Sequence, residues 1–230
     1  MSLLPSVSHY LSGSDYHCGS VYHMTDQHST LRARRRAQTQ RMIQAHAVRL
    51  FAERGYDATT VTDVAEAAGV SPMTVYRHFP TKEDLVLTDQ HGRLVAEHLA
   101  APAGGEPLVH RIGGALIGSA AALTDDDRDR EFLLTRLRLM ISTPALRARH
   151  LDNQYALQQA IIDALGQEAA DPETAFQARA AASACLAALH TALVRWAEDD
   201  GRSDLPDLIG RALAAVFGQS PLSPGGAAGR

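Results

Sequence analysis

The segment "TTVTDVAEAAGVSPMTVYRHFP", residues 59–80, constrains the fold more than any other part of the chain. It has room for two short helices and little else. Thr60 stands as an N-cap three residues before Asp63, a variant of the reciprocal capping pattern. Gly69 closes the helix that follows, Val61–Ala68. Ser71 caps a second helix, with Pro72 at the first helical position, where a missing N–H costs nothing. Pro80 stops that helix after Phe79. Isolated helices shorter than ~12–15 residues are marginal in water, so this pair needs a third element to pack on.

The brace lies upstream. Ile43, Ala47, Leu50 and Phe51 fall at i, i+4, i+7 and i+8, one apolar stripe on a helix over 34–54 that ends at Gly55. Two short helices joined by a glycine-containing turn form a helix-turn-helix. The second helix of such a motif enters a major groove ~12 Å wide. Only its N-terminal part meets base edges, so it can be short. Val75 and Phe79, four apart, face the brace; Pro72, Met73, Thr74, Arg77 and His78 are left outward. Thr74, Arg77 and His78 can bond bases or phosphates, and Tyr76 can place its hydroxyl on a phosphate. Lys82, the sole lysine, sits early in a helix expected from Thr81 to about Ala100. A cation there opposes the helix dipole and is easier to understand beside a bound anion.

Charge is distributed to match. Net charge is −4, yet residues 27–84 carry +3 and residues 85–230 carry −5. Arg34, Arg35 and Arg36 lead the basic front and are expected at DNA phosphates or a minor groove.

From Leu50 to Leu85 the sequence "LFAERGYDATTVTDVAEAAGVSPMTVYRHFPTKEDL" resembles the TetR family of bacterial transcriptional regulators. The shared words are the entry to the motif, the "VAEAAGVS" turn and "YRHFPTKEDL". The resemblance implies a homodimer that supplies one motif per subunit to an inverted-repeat DNA operator. It also implies an all-helical C-terminal domain that binds a small-molecule inducer. By position it carries DNA contact onto Thr60, Met73, Thr74, Tyr76, His78 and Lys82; the capping Ser71 lies among them. The words "ALRARHLDNQYALQQAIIDALG" (145–166) and "LHTALVRWAEDDGRSDL" (189–205) resemble a subgroup whose effector domain takes acyl-CoA-like ligands.

The whole chain reads as all-α: a tail over 1–30, the motif over 31–80, a helical ligand and dimer domain over 81–218, and a second tail over 219–230. Both tails read as disordered, and Met24 is an alternative start. "APAGGEP" (101–107) breaks the chain, and further helices are expected near 108–123, 126–141, 144–166, 172–199 and 204–218. Candidate effector-pocket residues on the middle helices are Leu116, Phe132, Leu137, Met140, Tyr155, Ile161, Phe176, Leu186 and His190. The last two helices are apolar on more faces than one core requires. By the resemblance, Cys185, Leu189, Leu193, Trp196, Leu208, Leu213 and Val216 form a four-helix dimer interface.

Other chemistries find no support in the residues. Cys18 and Cys185 match no metal or redox spacing, which points to a reduced, cytoplasmic protein. His91 and His98 lack a third ligand, so no metal is expected, and no cofactor either. "TDDDRDR" at 124–130 lacks the features of a calcium loop. No nucleophile elbow is present, which argues against an enzyme. No apolar run suggests a membrane span, and no basic start precedes Arg32. The rival reading is a lipid or acyl-thioester sensor whose DNA motif is vestigial.

Overall fold

The computed structural model describes residues 20–87, 90–99, 105–166 and 171–218. The chain before residue 20, most of the 101–107 break and the tail from 219 lie outside the described residues. Among the described residues there are nine α-helices and no strand. They are α1 Ser20–Arg54, α2 Val61–Ala67, α3 Pro72–His78, α4 Gln90–Leu99, α5 Leu108–Thr124, α6 Asp127–Ser142, α7 Pro144–Leu165, α8 Pro172–Glu198 and α9 Leu205–Phe217.

Backbone contacts divide the chain at Arg41. In the first unit α1 is already helical from Ser20, earlier than the expected 34. No glycine or proline interrupts residues 20–54, so nothing in the sequence stops the helix from extending backwards. Arg34, Arg35 and Arg36 are exposed, and Thr39 Oγ1 donates to the Arg35 carbonyl at 3.0 Å.

The second unit, from Met42 onward, holds two apolar clusters. One gathers Ile43, Ala47, Leu50 and Phe51 of α1 with Val64, Val75 and Phe79, as the periodicity predicts. It also takes in Leu85 and Val86, and, from α6 and α7, Leu139 and Leu146. The other cluster is the larger and is built on α8, which buries ten residues, Trp196 and Cys185 among them. By length and composition α8 could cross a bilayer, which the expectation of no membrane span overlooked. Its alanine-rich faces instead pack against α5, α6, α7 and α9, as suits a core helix.

The single helix expected over 81–100 is not continuous. Residues Glu83–Leu85 form a 3-10 turn, and α4 begins only at Gln90. Leu85 and Val86 are both buried and Leu87 is half-buried, and three consecutive inward side chains do not fit one helical face. The Val86 carbonyl, which a continuing helix would turn to residue 90, accepts instead from Arg136 Nε at 2.7 Å.

Candidate nucleic-acid interface and effector cavity

The two short helices carry the caps their sequence announces. The Asp63 amide donates to Thr60 Oγ1 (3.1 Å) while the Thr60 amide donates to Asp63 Oδ2 (2.7 Å). Thr60 Oγ1 also donates to Asp63 Oδ2 at 2.6 Å, and this bond first, then that of the Thr60 amide, holds the Asp63 carboxyl below its ordinary range. Ser71 Oγ accepts from the Thr74 amide (3.1 Å) and pairs with Thr74 Oγ1 at 2.9 Å. Gly55 and Gly69 both have positive φ, 91° and 65°, which L side chains rarely adopt, and they end α1 and α2 where the chain must turn sharply.

This geometry sorts α3 into two faces. Val75 and Phe79 are buried against the brace. Pro72, Met73, Tyr76 and Arg77 are exposed, Met73 by 76 %, and Thr74 and His78 are half-buried. An exposed thioether, a phenol and a guanidinium on one short capped helix make a surface able to meet base edges and phosphate.

Lys82 has partners that the sequence did not suggest. Its ammonium donates to the Tyr56 carbonyl and lies 4.2 Å from the Tyr56 ring centroid and 5.5 Å from that of Phe51. It needs no bound anion to explain its place. Tyr56 in turn donates its hydroxyl to Glu83 Oε1 at 2.9 Å. Burial and that carboxylate push the phenol well above its ordinary range. Thr81 and Asp84 cap one another across the turn, and Asp84 Oδ1 accepts from Arg149 Nη2 of α7 at 3.3 Å. The segment after α3 is thus held from two sides, by the brace and by α6 and α7.

A cavity of about 520 Å³ opens among α4 to α9. Leu137 and Met140 line it, as expected. The other candidate pocket residues do not. Leu116, Ile161 and Leu186 are filled core positions, and Tyr155 and Phe176 are 73 % and 66 % exposed, on the outward faces of their helices. Phe132 packs instead on the cluster around the short helices. His190 lines a neighbouring hollow and stacks on His150, with 3.3 Å between ring nitrogens. Residues missed at the cavity are Arg136, His150 and Gln154. The signal was present, since Leu133, Arg136, Leu137 and Met140 share one face of α6, an arginine set in an apolar stripe. The His91 side chain lies outside the described residues; His98 Nδ1 donates to the Leu94 carbonyl at 2.7 Å.

Most of the residues expected at a dimer interface face inward in the single subunit. Cys185, Leu189, Trp196, Leu208 and Leu213 are buried within the subunit, and Leu189 and Leu193 line the cavity. Of that set only Val216 is exposed, at 55 %. Periodicity marked these helices as rich in apolar positions but could not say which apolar face meets the chain's own core.

Comparison with known proteins agrees with this architecture. Residues 43–88 match the model of bacterial regulatory proteins of the tetR family, and residues 106–220 match the MftR C-terminal domain. The HTH-type transcriptional regulator TcmR of Streptomyces glaucescens is 33 % identical over 126 residues, 53 % of this chain and 56 % of that protein. The chain therefore spans little more than half of that relative's length. MftR of Mycobacterium tuberculosis, named for regulating mycofactocin biosynthesis, is 26 % identical over 196 residues, 82 % of this chain and 94 % of that protein. Among solved structures, NalD of Pseudomonas aeruginosa, a repressor of a multidrug efflux pump, is 26 % identical with a TM-score of 0.51, covering 79 % of this chain and 96 % of its own. With its capped helix-turn-helix and a C-terminal helical domain that matches through residue 220, the chain belongs to the TetR family of bacterial transcriptional regulators.

Proposed function

We propose that this chain represses transcription by binding an inverted-repeat operator as a homodimer in the cytoplasm, and that a small hydrophobic or acyl-CoA-like effector releases it. The observation that carries the reading is the division of α3. Its apolar side is committed to the brace, and Met73, Tyr76 and Arg77 remain exposed on a helix with no packing task left for them. Thr60, Ser71, Pro72, Thr74 and His78 border that surface, and Arg34, Arg35 and Arg36 add phosphate contacts. The apolar cavity supports the effector half of the reading, because its volume lies within the ~300–1,000 Å³ of small-molecule pockets.

The homodimer is assigned to what α8 and α9 leave uncovered. Phe176, Ala180, Ser183, Ala187 and Thr191 lie along one exposed face of α8, and Val216 and Phe217 end α9. Small residues at such spacing let two helices approach closely.

A gel-shift series with the chain's own upstream intergenic DNA tests the reading. A dimer should protect two half-sites ~34–36 Å apart. Affinity should fall steeply between 50 and 200 mM salt, because basic residues of both subunits displace counterions. Salt-insensitive binding, or tight binding of a monomer to a lone half-site, overturns it.

A further inference from the structure

Arg136 is placed in the wall of an apolar cavity, where a charge needs a reason. Its guanidinium lies inside the protein envelope, and burial lowers its pKa to about 10. Nε donates to the Val86 carbonyl, and the planar group lies 5.6 Å from the Phe132 ring centroid. Among the described residues it makes no ion pair, and its two terminal nitrogens have no hydrogen-bond acceptor. The surface the group retains is therefore surface of the cavity it lines.

The other polar groups at the wall do not neutralise it. Arg93 is largely exposed and already pairs with Glu97 at 3.6 Å. His150 is kept neutral by burial and by His190, and it and Gln154 are engaged with one another at 3.2 Å. Asn153 is polar but carries no charge, and the remaining lining side chains, Leu133, Leu137 and Met140 among them, are apolar. Among the described residues the cavity thus presents one uncompensated positive charge, on a planar fork with two N–H edges that have no acceptor, opposite an aliphatic wall. That is the receptor for a single planar monoanion on a hydrocarbon chain.

We propose that the effector is an aliphatic carboxylate whose carboxyl group seats on Arg136, with its chain along the leucines of α6, α7 and α8. This rests on the reading of the cavity as the effector site. It adds a route to the DNA-binding motif, because the guanidinium that takes the carboxylate also holds Val86, a buried member of the cluster around the short helices. A carboxylate that shifts Arg136 shifts the carbonyl on which the segment after α3 is anchored.

Decanoate, 1-decanol and decanoyl-CoA titrated into the full chain by calorimetry provide the test. Decanoate should bind ~10-fold or more tightly than decanol, as expected of a hydrogen-bonded charge pair. Arg136→Gln should erase that preference, and Arg136→Lys should restore part of it. Equal affinity of wild type for decanoate and decanol overturns the proposal, and this comparison needs no variant, so a poorly folded Arg136→Gln protein leaves the test intact. Tighter binding of decanoyl-CoA, whose chain ends in a neutral thioester, also overturns it. Operator binding measured beside these titrations separates the two failures: a chain that shifts its operator yet ignores decanoate loses this proposal alone.

Discussion

Replacing Lys82 with methionine separates a brace from a phosphate contact. The substitution keeps the aliphatic stem and removes the ammonium, so the hydrogen bond to the Tyr56 carbonyl and the approach to the Tyr56 and Phe51 rings are lost together. A hydrogen bond from a charged donor contributes ~1.5–3 kcal/mol. A cation over an aromatic ring adds ~0.5–1 kcal/mol at a partly exposed site. Lys82 is half-buried, so the lower ends apply, and Lys82→Met should destabilise the fold by ~2 kcal/mol. For a chain of this size that lowers the melting temperature by ~4–8 °C. Thermal melts report the loss, and operator titrations at several salt concentrations report its origin. Each phosphate contact removed lowers the salt slope by ~1. A brace should lower the melting temperature and leave the slope of the folded protein unchanged. An unaltered melt together with a flattened slope would refute the reasoning and return Lys82 to the phosphate.

Phe79→Ala should cost ~3–5 kcal/mol and abolish operator binding through unfolding, whereas Thr74→Ala should change stability by no more than ~0.5 kcal/mol and, if Thr74 reads a base, weaken one operator position by ~1–3 kcal/mol; melts beside titrations on substituted operators distinguish them. His150 has its pKa lowered to about 4 from an ordinary value near 6.5 by burial and then by His190. The unfolded chain therefore binds the extra proton first, and stability should be full above pH 6.5 and decline as pH falls toward 4. His150→Gln should flatten that part of the pH profile of urea denaturation. Ala187→Glu, on the exposed face of α8, should give a folded monomer by light scattering with weakened operator binding. Leu213→Asp, at a fully buried position, should unfold the subunit instead.

The elements legible in the sequence are those specified within a few residues. Thr60 with Asp63, and Ser71 with Pro72, fix the starts of α2 and α3, and both act across three positions or fewer. Asp171 and Pro172 open α8 in the same way. The Ile43, Ala47, Leu50 and Phe51 stripe was equally legible, because one helix presents it to one core. What escaped depends on distant partners. The break after Leu85 is anchored by Arg136, fifty residues on, and Lys82 finds Tyr56 across a folded loop. The cavity lies where six helices meet, so no single segment encodes it. Most of the residues expected at the dimer interface lie inside the subunit for a related reason: hydropathy identifies an apolar face but does not name its neighbour.

Leu139 and Leu146 determine how this molecule can be taken apart. They come from α6 and α7, yet with Leu85 and Val86 they make up four of the fifteen buried members of the cluster around the short helices. A fragment ending at Pro80 would lack all four. Each large aliphatic side chain missing from a core costs ~2–5 kcal/mol, and a unit this small has little margin. The DNA-reading motif is therefore not a cartridge that can be cut out or grafted onto another effector domain by joining chains near residue 80. A working chimera must bring the corner between α6 and α7 with it. Within that corner Leu139 faces the motif while its neighbour Met140 faces the cavity, so a graft that replaced either helix would change both ends at once.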